Sequence, residues 1–133
     1  MPKYSKYNIS KGQKLIINSL LDLDLSFQLE KDFEDLKNPE TGQRLRFDFY
    51  IPVLNLCIEY DGKQHFEYSP EIHGEDETLG LLELASQQKR DRLKEEYCLE
   101  NNLKLLRIKY SSKDQIPEIV GKIVEEIRNG RKR

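Results

Sequence analysis

Three stretches of the chain alternate apolar and polar residues with the two-residue period of a half-buried strand. Leu25, Phe27 and Leu29 alternate with Ser26, Gln28 and Glu30. Leu45, Phe47, Phe49 and Ile51 alternate with Arg46, Asp48 and Tyr50, and Leu56, Ile58 and Tyr60 with Cys57, Glu59 and Asp61. "LKLLRIKY", residues 103 to 110, reads as a fourth strand. "KNPETG" at 37 to 42 and "PVLN" at 52 to 55 carry turn chemistry, and Gly62 stops the third run. Elsewhere the period is helical. Residues 10 to 22 put Leu15, Ile16, Leu20 and Leu21 on one stripe behind a Ser10 cap, with Gln13 near the buried face, where a polar side chain needs a reason. Helical character returns at residues 77 to 101, with Leu93 and Tyr97 as an i, i+4 pair, Gly80 as a point of interruption and "NN" at 101 to 102 as a stop. Ile116, Ile119, Val120, Ile123, Val124 and Ile127 mark an amphipathic last helix with Pro117 in its first turn. Residues 67 to 76, broken by Pro70 and Gly74, read as a polar loop.

The order is α-β-β-β-α-β-α. An antiparallel meander followed by a helical crossover to another strand predicts an α/β (α+β) fold, a mixed four-stranded sheet flanked by helices. The sequence shows no internal repeat or low-complexity tract, so residues 1–133 are expected to form a single domain with short basic N- and C-terminal tails.

Composition changes this picture little. Hydrophobic residues make up 37% and charged residues 35% of the chain, polar for a globular protein, but the clustering of the apolar positions argues against disorder. No apolar run reaches membrane-spanning length and no signal-peptide pattern opens the chain, so a membrane is not an expected partner. Cys57 and Cys98 form no CxxC pair, which argues against structural zinc and for a reduced, intracellular setting. The net charge of −2 does not announce a nucleic-acid binder, but its distribution is uneven. Lys3, Lys6, Lys11 and Lys14 lie at one end and Arg128, Arg131, Lys132 and Arg133 at the other, around an acidic centre that includes Glu71, Glu75, Asp76 and Glu77. Solvated tails explain this as well as phosphate contacts do.

The chemistry concentrates in "FDFYIPVLNLCIEYDGKQH", residues 47 to 65. Period two points Asp48 away from the face of Phe47 and Phe49, and puts Glu59 and Asp61 on one face, away from Ile58 and Tyr60. If the two strands pair about the turn at 52 to 55, Asp48 falls near Glu59, roughly 5 Å across the sheet. Carboxylates so close repel unless a cation or a shared proton intervenes, and an oxygen-rich cluster suits Mg²⁺ or Mn²⁺. Any one of these acids alone reads as solvent-facing. Together with His65 beside a strand-ending glycine they read as a site. On spacing alone Asp91 and Lys94 form only an i, i+3 surface ion pair.

"LRFDFYIPVLNLCIEYDGKQHF", followed by "RDRLKEEYCLENNLKLLRIKY", resembles the PD-(D/E)XK nuclease superfamily. Nearest among its branches are the small very-short-patch-repair-like and phage homing endonucleases with an EDxHD-type site. The resemblance runs from "SKGQKLI" to "LLRIKY" and implies a restriction-endonuclease-like core, DNA as substrate, a bacterial or phage origin and a divalent metal. It matches Asp48 to the metal-binding aspartate and Glu59 to the acidic position of the (D/E)XK element. Asp61 falls where lysine is frequent, which leaves Lys94 as a candidate displaced catalytic lysine. His65 takes the proton-transfer or phosphate-contact role, and Asp91 matches a later aspartate that orients the histidine. Gln13 stands in "KGQ" where the family presents a glutamate, and the loss of that charge is expected to weaken the metal site.

These readings converge on a DNA endonuclease in which Asp48, Glu59 and Asp61 hold Mg²⁺ or Mn²⁺ and His65, Asp91, Gln13 and Lys94 complete the site. Lys11, Lys63, Lys89, Arg90 and Arg92 would contact the DNA backbone, and a homodimer would cut both strands. The rivals are a catalytically impaired nucleic-acid-binding module on the same fold, raised by Gln13, and a structural or partner-binding protein with solvated acids. Tyr4, Tyr7, Tyr50 and Tyr68 are candidates for base stacking, with core contact the better reading for Tyr50. His73 reads as an ordinary surface histidine.

Overall fold

The computed structural model describes residues 8–63 and 66–130. Ser10 caps the first helix, α1 (Lys11–Asp22), and its stripe of Ile16, Ile17 and Leu20 is buried. Three strands follow: β1 (Gln28–Lys37), β2 (Arg44–Ile51) and β3 (Leu56–Asp61). A short helix α2 (Pro70–His73) and a long one, α3 (Glu77–Glu100), lead to β4 (Lys104–Lys109) and then to α4 (Ile116–Gly130). The sheet order is β1-β2-β3-β4. β1/β2 and β2/β3 are antiparallel, and β3/β4 are parallel because α3 carries the chain back across the sheet. This is the mixed α+β architecture that the apolar pattern predicts.

Two apolar layers hold the sheet. On one face Phe49, Ile51, Leu56, Ile58 and Ile108 meet Ile16 and Leu20 of α1 and Ile116, Val120 and Val124 of α4. On the other, Leu36, Leu45, Phe47 and Cys57 meet Cys98, Leu93 and Tyr97 of α3. Each fully buried side chain of this size stabilises the fold by roughly 1.5–3 kcal/mol.

The secondary structure and the sheet depart from the sequence reading in four places. β1 begins three residues later than expected and runs to Lys37. Its last seven residues, "KDFEDLK", alternate poorly because β1 is an edge strand, paired on one side only, where charge blunts association. Residues 67 to 76 are not all loop, since α2 lies within them. Gly80 does not interrupt α3. It is the point where the Tyr68 ring closes on the helix, and a Cβ there would lie 2.2 Å from the Tyr68 Cε1 atom.

The fourth departure shapes the site. Phe47 and Phe49 do not share a face: Phe49 belongs to the α1/α4 layer and Phe47 to the α3 layer. The regular β2/β3 register ends at Phe49↔Ile58. Beyond it, the Tyr60 N–H donates to Asp48 Oδ2 at 2.8 Å, so a side-chain oxygen stands where a ladder would use a carbonyl. Across β2, Glu30 sits in the left-handed region at φ 49°. That backbone conformation is costly for a glutamate and breaks the alternation of β1 beside Asp48.

Candidate metal and phosphate site

Where β2 and β3 part, Asp48 and Glu59 come together. Glu59 is 3% exposed. Its carboxyl is pushed up to about 8, first by burial and then by the neighbouring Asp48 carboxylate. Lys94 of α3 opposes that shift: its Nζ lies 2.8 Å from Glu59 Oε1 and 5.7 Å from the centre of the Phe47 ring. The Lys94–Glu59 pair is nearly closed to solvent, yet the ammonium does not offset burial and the neighbouring carboxylate, so near neutral pH Glu59 retains its proton.

The expectation of an Asp91/Lys94 surface pair does not hold, because β4 intervenes. Lys94 reaches Glu59, while Asp91 turns to Arg107. The parallel register sets Arg107 opposite Glu59 and on the same face of the sheet. Its NH1 donates to both oxygens of Asp61 at 3.0 and 3.2 Å and lies 3.6 Å from Asp91 Oδ1. Its NH2 donates to the Asp91 carbonyl at 3.0 Å. Nε lies 3.1 Å from Glu95 Oε1 without the alignment of a hydrogen bond. Burial works against the guanidinium charge, but Asp61 and Asp91 outweigh it and raise its pKa. Gln87 also donates to Asp91 Oδ1 at 3.2 Å. Arg107 thus ties Asp61 on β3 to Asp91 on α3. It went unnoticed in the sequence because an arginine in "LLRIK" looks like the polar half of an alternation. The one available signal was its parity with the acids, and that depends on knowing the register.

Gln13 gains a local explanation. Its N–H donates to Ser10 Oγ at 3.2 Å and its Oε1 accepts the Ser10 N–H at 2.9 Å, a reciprocal capping box. The half-buried side chain also lines a narrow crevice with Asp48, Glu30 and Ile17. The neighbouring Gly12 lets the Tyr60 ring lie against α1, since a Cβ there would stand 2.2 Å from Tyr60 Cζ. His65 lies outside the described residues, as do Tyr4 and Tyr7. His73 is not a free surface histidine: its Nδ1 accepts the Ser69 N–H at 3.1 Å and its ring stacks on Tyr68. Tyr50 is held edge-on by Phe33, as expected of a packed ring.

Of the lysines and arginines expected to meet a backbone, Lys11 and Arg92 are exposed. Lys63 pairs with Glu67 at 3.3 Å, and Lys89 bonds Glu40 of the β1/β2 turn. Arg90 donates to Gln87 Oε1 at 2.9 Å. A groove between that turn and α3 is lined by Arg44, Arg46, Arg90 and Lys94, together with Gln43 and Gln87. Arg44 and Arg46 enter it from β2 and were not singled out in the sequence. Their ion pairs with Asp32 and Glu30, each 3.5 Å long and exposed, are weak enough to yield to a phosphate. Lys94 lines this groove and also pairs with Glu59, although neither Asp48 nor Glu59 lines it.

The chain is similar to viral proteins. It is 38% identical over 84 residues to Uncharacterized protein 307L of Invertebrate iridescent virus 6, covering 59% of this chain and 40% of that protein. It is 37% identical over 78 residues to Uncharacterized protein 033L of Invertebrate iridescent virus 3, covering 59% of this chain and 38% of that protein. It is 36% identical over 89 residues to Uncharacterized protein 094L of Frog virus 3, covering 63% of this chain and 55% of that protein. The chain therefore spans between 38% and 55% of the length of these relatives. No family model matches the chain, and no solved structure does. No helix among the described residues is long and apolar enough to cross a membrane.

Proposed function

We propose that the chain is a metal-dependent endonuclease that hydrolyses DNA phosphodiester bonds. The observation that carries this reading is the Asp48/Glu59 pair: two carboxyl groups forced together on parting strands, one of them buried, beside a cationic groove. A divalent cation can take the place of the proton that Glu59 retains. Mg²⁺ or Mn²⁺ fits the pair, because these ions take one or two protein carboxylates and complete their shells with water and substrate phosphate. Among the described residues no group of three or more His, Cys, Asp or Glu side chains is arranged to hold a metal, and the Asp61 carboxylate is engaged by Arg107. Asp48 and Glu59 would therefore hold the ion, which would supply Lewis-acid stabilisation of the charge that builds on the scissile phosphate.

The remaining roles belong to the chain's own groups. Lys94, poised on Glu59 Oε1, is the cation nearest the reacting phosphate and would balance its charge in the transition state. Arg44, Arg46 and Arg90 would bind flanking phosphates, making affinity fall with salt. Proton transfer is assigned to His65 by the resemblance stated above, with Asp91 held by Gln87 and Arg107 as its orienting partner. A second reading, a binding module without turnover, draws on Gln13, whose Oε1 is committed to its helix cap.

Cleavage of plasmid and of short duplexes in Mg²⁺ or Mn²⁺ tests the proposal. The expected result is metal-dependent cleavage that disappears in Asp48→Ala and Glu59→Gln and drops in Lys94→Met. Salt-sensitive binding without cleavage, persisting after Gln13→Glu, would establish the second reading instead.

A further inference from the structure

Between Lys63 and Lys89 the chain contains six carboxylates and no lysine or arginine. From Phe66 on, the described residues of this segment form α2 and the first half of α3, a lobe that exposes three leucines. Leu79, Leu81 and Leu82 are 58%, 47% and 60% exposed. Leu79 and Leu82, three residues apart on α3, share one side of the helix, whereas Leu81 lies on another. Leu79 and Leu82 line a groove along α3 that His73 borders from α2 and that continues past Glu83 to Arg90.

The lobe is a built platform. Asp76 caps α3 by accepting the Leu79 N–H at 3.1 Å. Tyr68 seats on Gly80, stacks on His73 and donates its hydroxyl to the Gly74 carbonyl at 2.8 Å. Ser69 Oγ donates to Glu71 Oε2 at 2.6 Å. The exposed leucines are therefore held outward by ordered structure beneath them.

We infer that the Leu79/Leu82 groove, lined by Glu83 and set in a segment where Glu71, Glu75, Asp76 and Glu77 are also exposed, docks a basic amphipathic helix of a partner protein. Charge complementarity selects the occupant. These five carboxylates repel nucleic-acid phosphate and anionic lipid alike, and the same repulsion opposes a second copy of this lobe. A partner with lysines or arginines flanking an apolar stripe gains both contacts, the stripe filling the groove and the rim charges speeding encounter. The groove lies along a helix, and the lobe offers no strand edge among its described residues, which favours a helix over an added strand. Gln87 and Arg90 line both this groove and the cationic one, so a docked helix would lie alongside the candidate site. The inference does not depend on the nuclease reading.

Fluorescence anisotropy with the full chain tests it. The probe is a labelled synthetic helix with leucine at i, i+3, i+4 and i+7 and lysine elsewhere, compared with the same design carrying glutamate for lysine. The lysine peptide is expected to bind and to weaken with salt. Binding should fall about tenfold or more in Leu79→Ser/Leu82→Ser, whose altered side chains are exposed and leave the fold intact. Leu99→Ser, a control at the far end of α3 where Leu99 is 82% exposed, should bind as the unaltered chain does. Equal binding of the glutamate peptide, undiminished binding by the leucine double variant, or a leucine-dependent dimer in sedimentation would overturn the inference.

Discussion

The proton held at Glu59 makes metal affinity pH-dependent in a defined direction. With its pKa at about 8, Glu59 is ionised in about a tenth of molecules at pH 7 and about nine-tenths at pH 9. A cation that requires the ionised carboxylate must displace that proton. Its apparent Kd should therefore fall about tenfold between pH 7 and pH 9, equivalent to about 1.4 kcal/mol, and about a hundredfold from pH 6 to pH 9. Calorimetric titration of Mg²⁺ at pH 7, repeated in two buffers of different ionisation enthalpy, should register close to one proton released per ion bound. Lys94→Met removes the cation that lowers the Glu59 pKa and should shift the profile to higher pH. An Mg²⁺ affinity that is flat from pH 6 to pH 9 with no proton release would refute the reasoning, because Glu59 would then be either ionised already or not a ligand.

The same group bears on metal-free stability. Glu59 is raised from 4.5 when folded, so its contribution is fully present below about pH 4.5 and is lost as pH rises towards about 8, a decline that urea titrations across that window should detect. Gly12→Ala drives a methyl into the Tyr60 ring and should destabilise by about 1–3 kcal/mol. Gly121→Ala on α4, where a Cβ meets open space, should instead stabilise by about 0.5–1 kcal/mol. Gln13→Ala should cost about 1 kcal/mol through the lost capping bond, whereas Gln13→Glu keeps the cap and should strengthen Mg²⁺ binding; paired unfolding and calorimetric measurements separate the two. Arg107→Ala removes the guanidinium from the buried Asp61 carboxylate and should lower unfolding stability by about 3–5 kcal/mol, with part recovered in Arg107→Ala/Asp61→Asn.

The sequence by itself determined the order of the strands and the three longer helices, the extent of α1, and the meeting of Asp48 with Glu59. Each of these follows from a short-range period: 3.6 residues for the helices, two for the strands, and a tight turn that folds one strand onto the next. What remained hidden depends on distant partners. Strict alternation assigns Phe47 and Phe49 to one face, but the parting of β2 from β3 sends them to opposite layers. Lys94 and Asp91, an unremarkable pair one helical turn apart, are divided between Glu59 and Arg107 because α3 crosses the sheet at that level. Arg107 meets Asp61 through the parallel register of β3 and β4, across 46 residues of chain. Backbone periodicity is written locally, residue by residue, whereas the choice of which buried charge answers which is made only when separate elements close on one another and exclude the water that would otherwise solvate both.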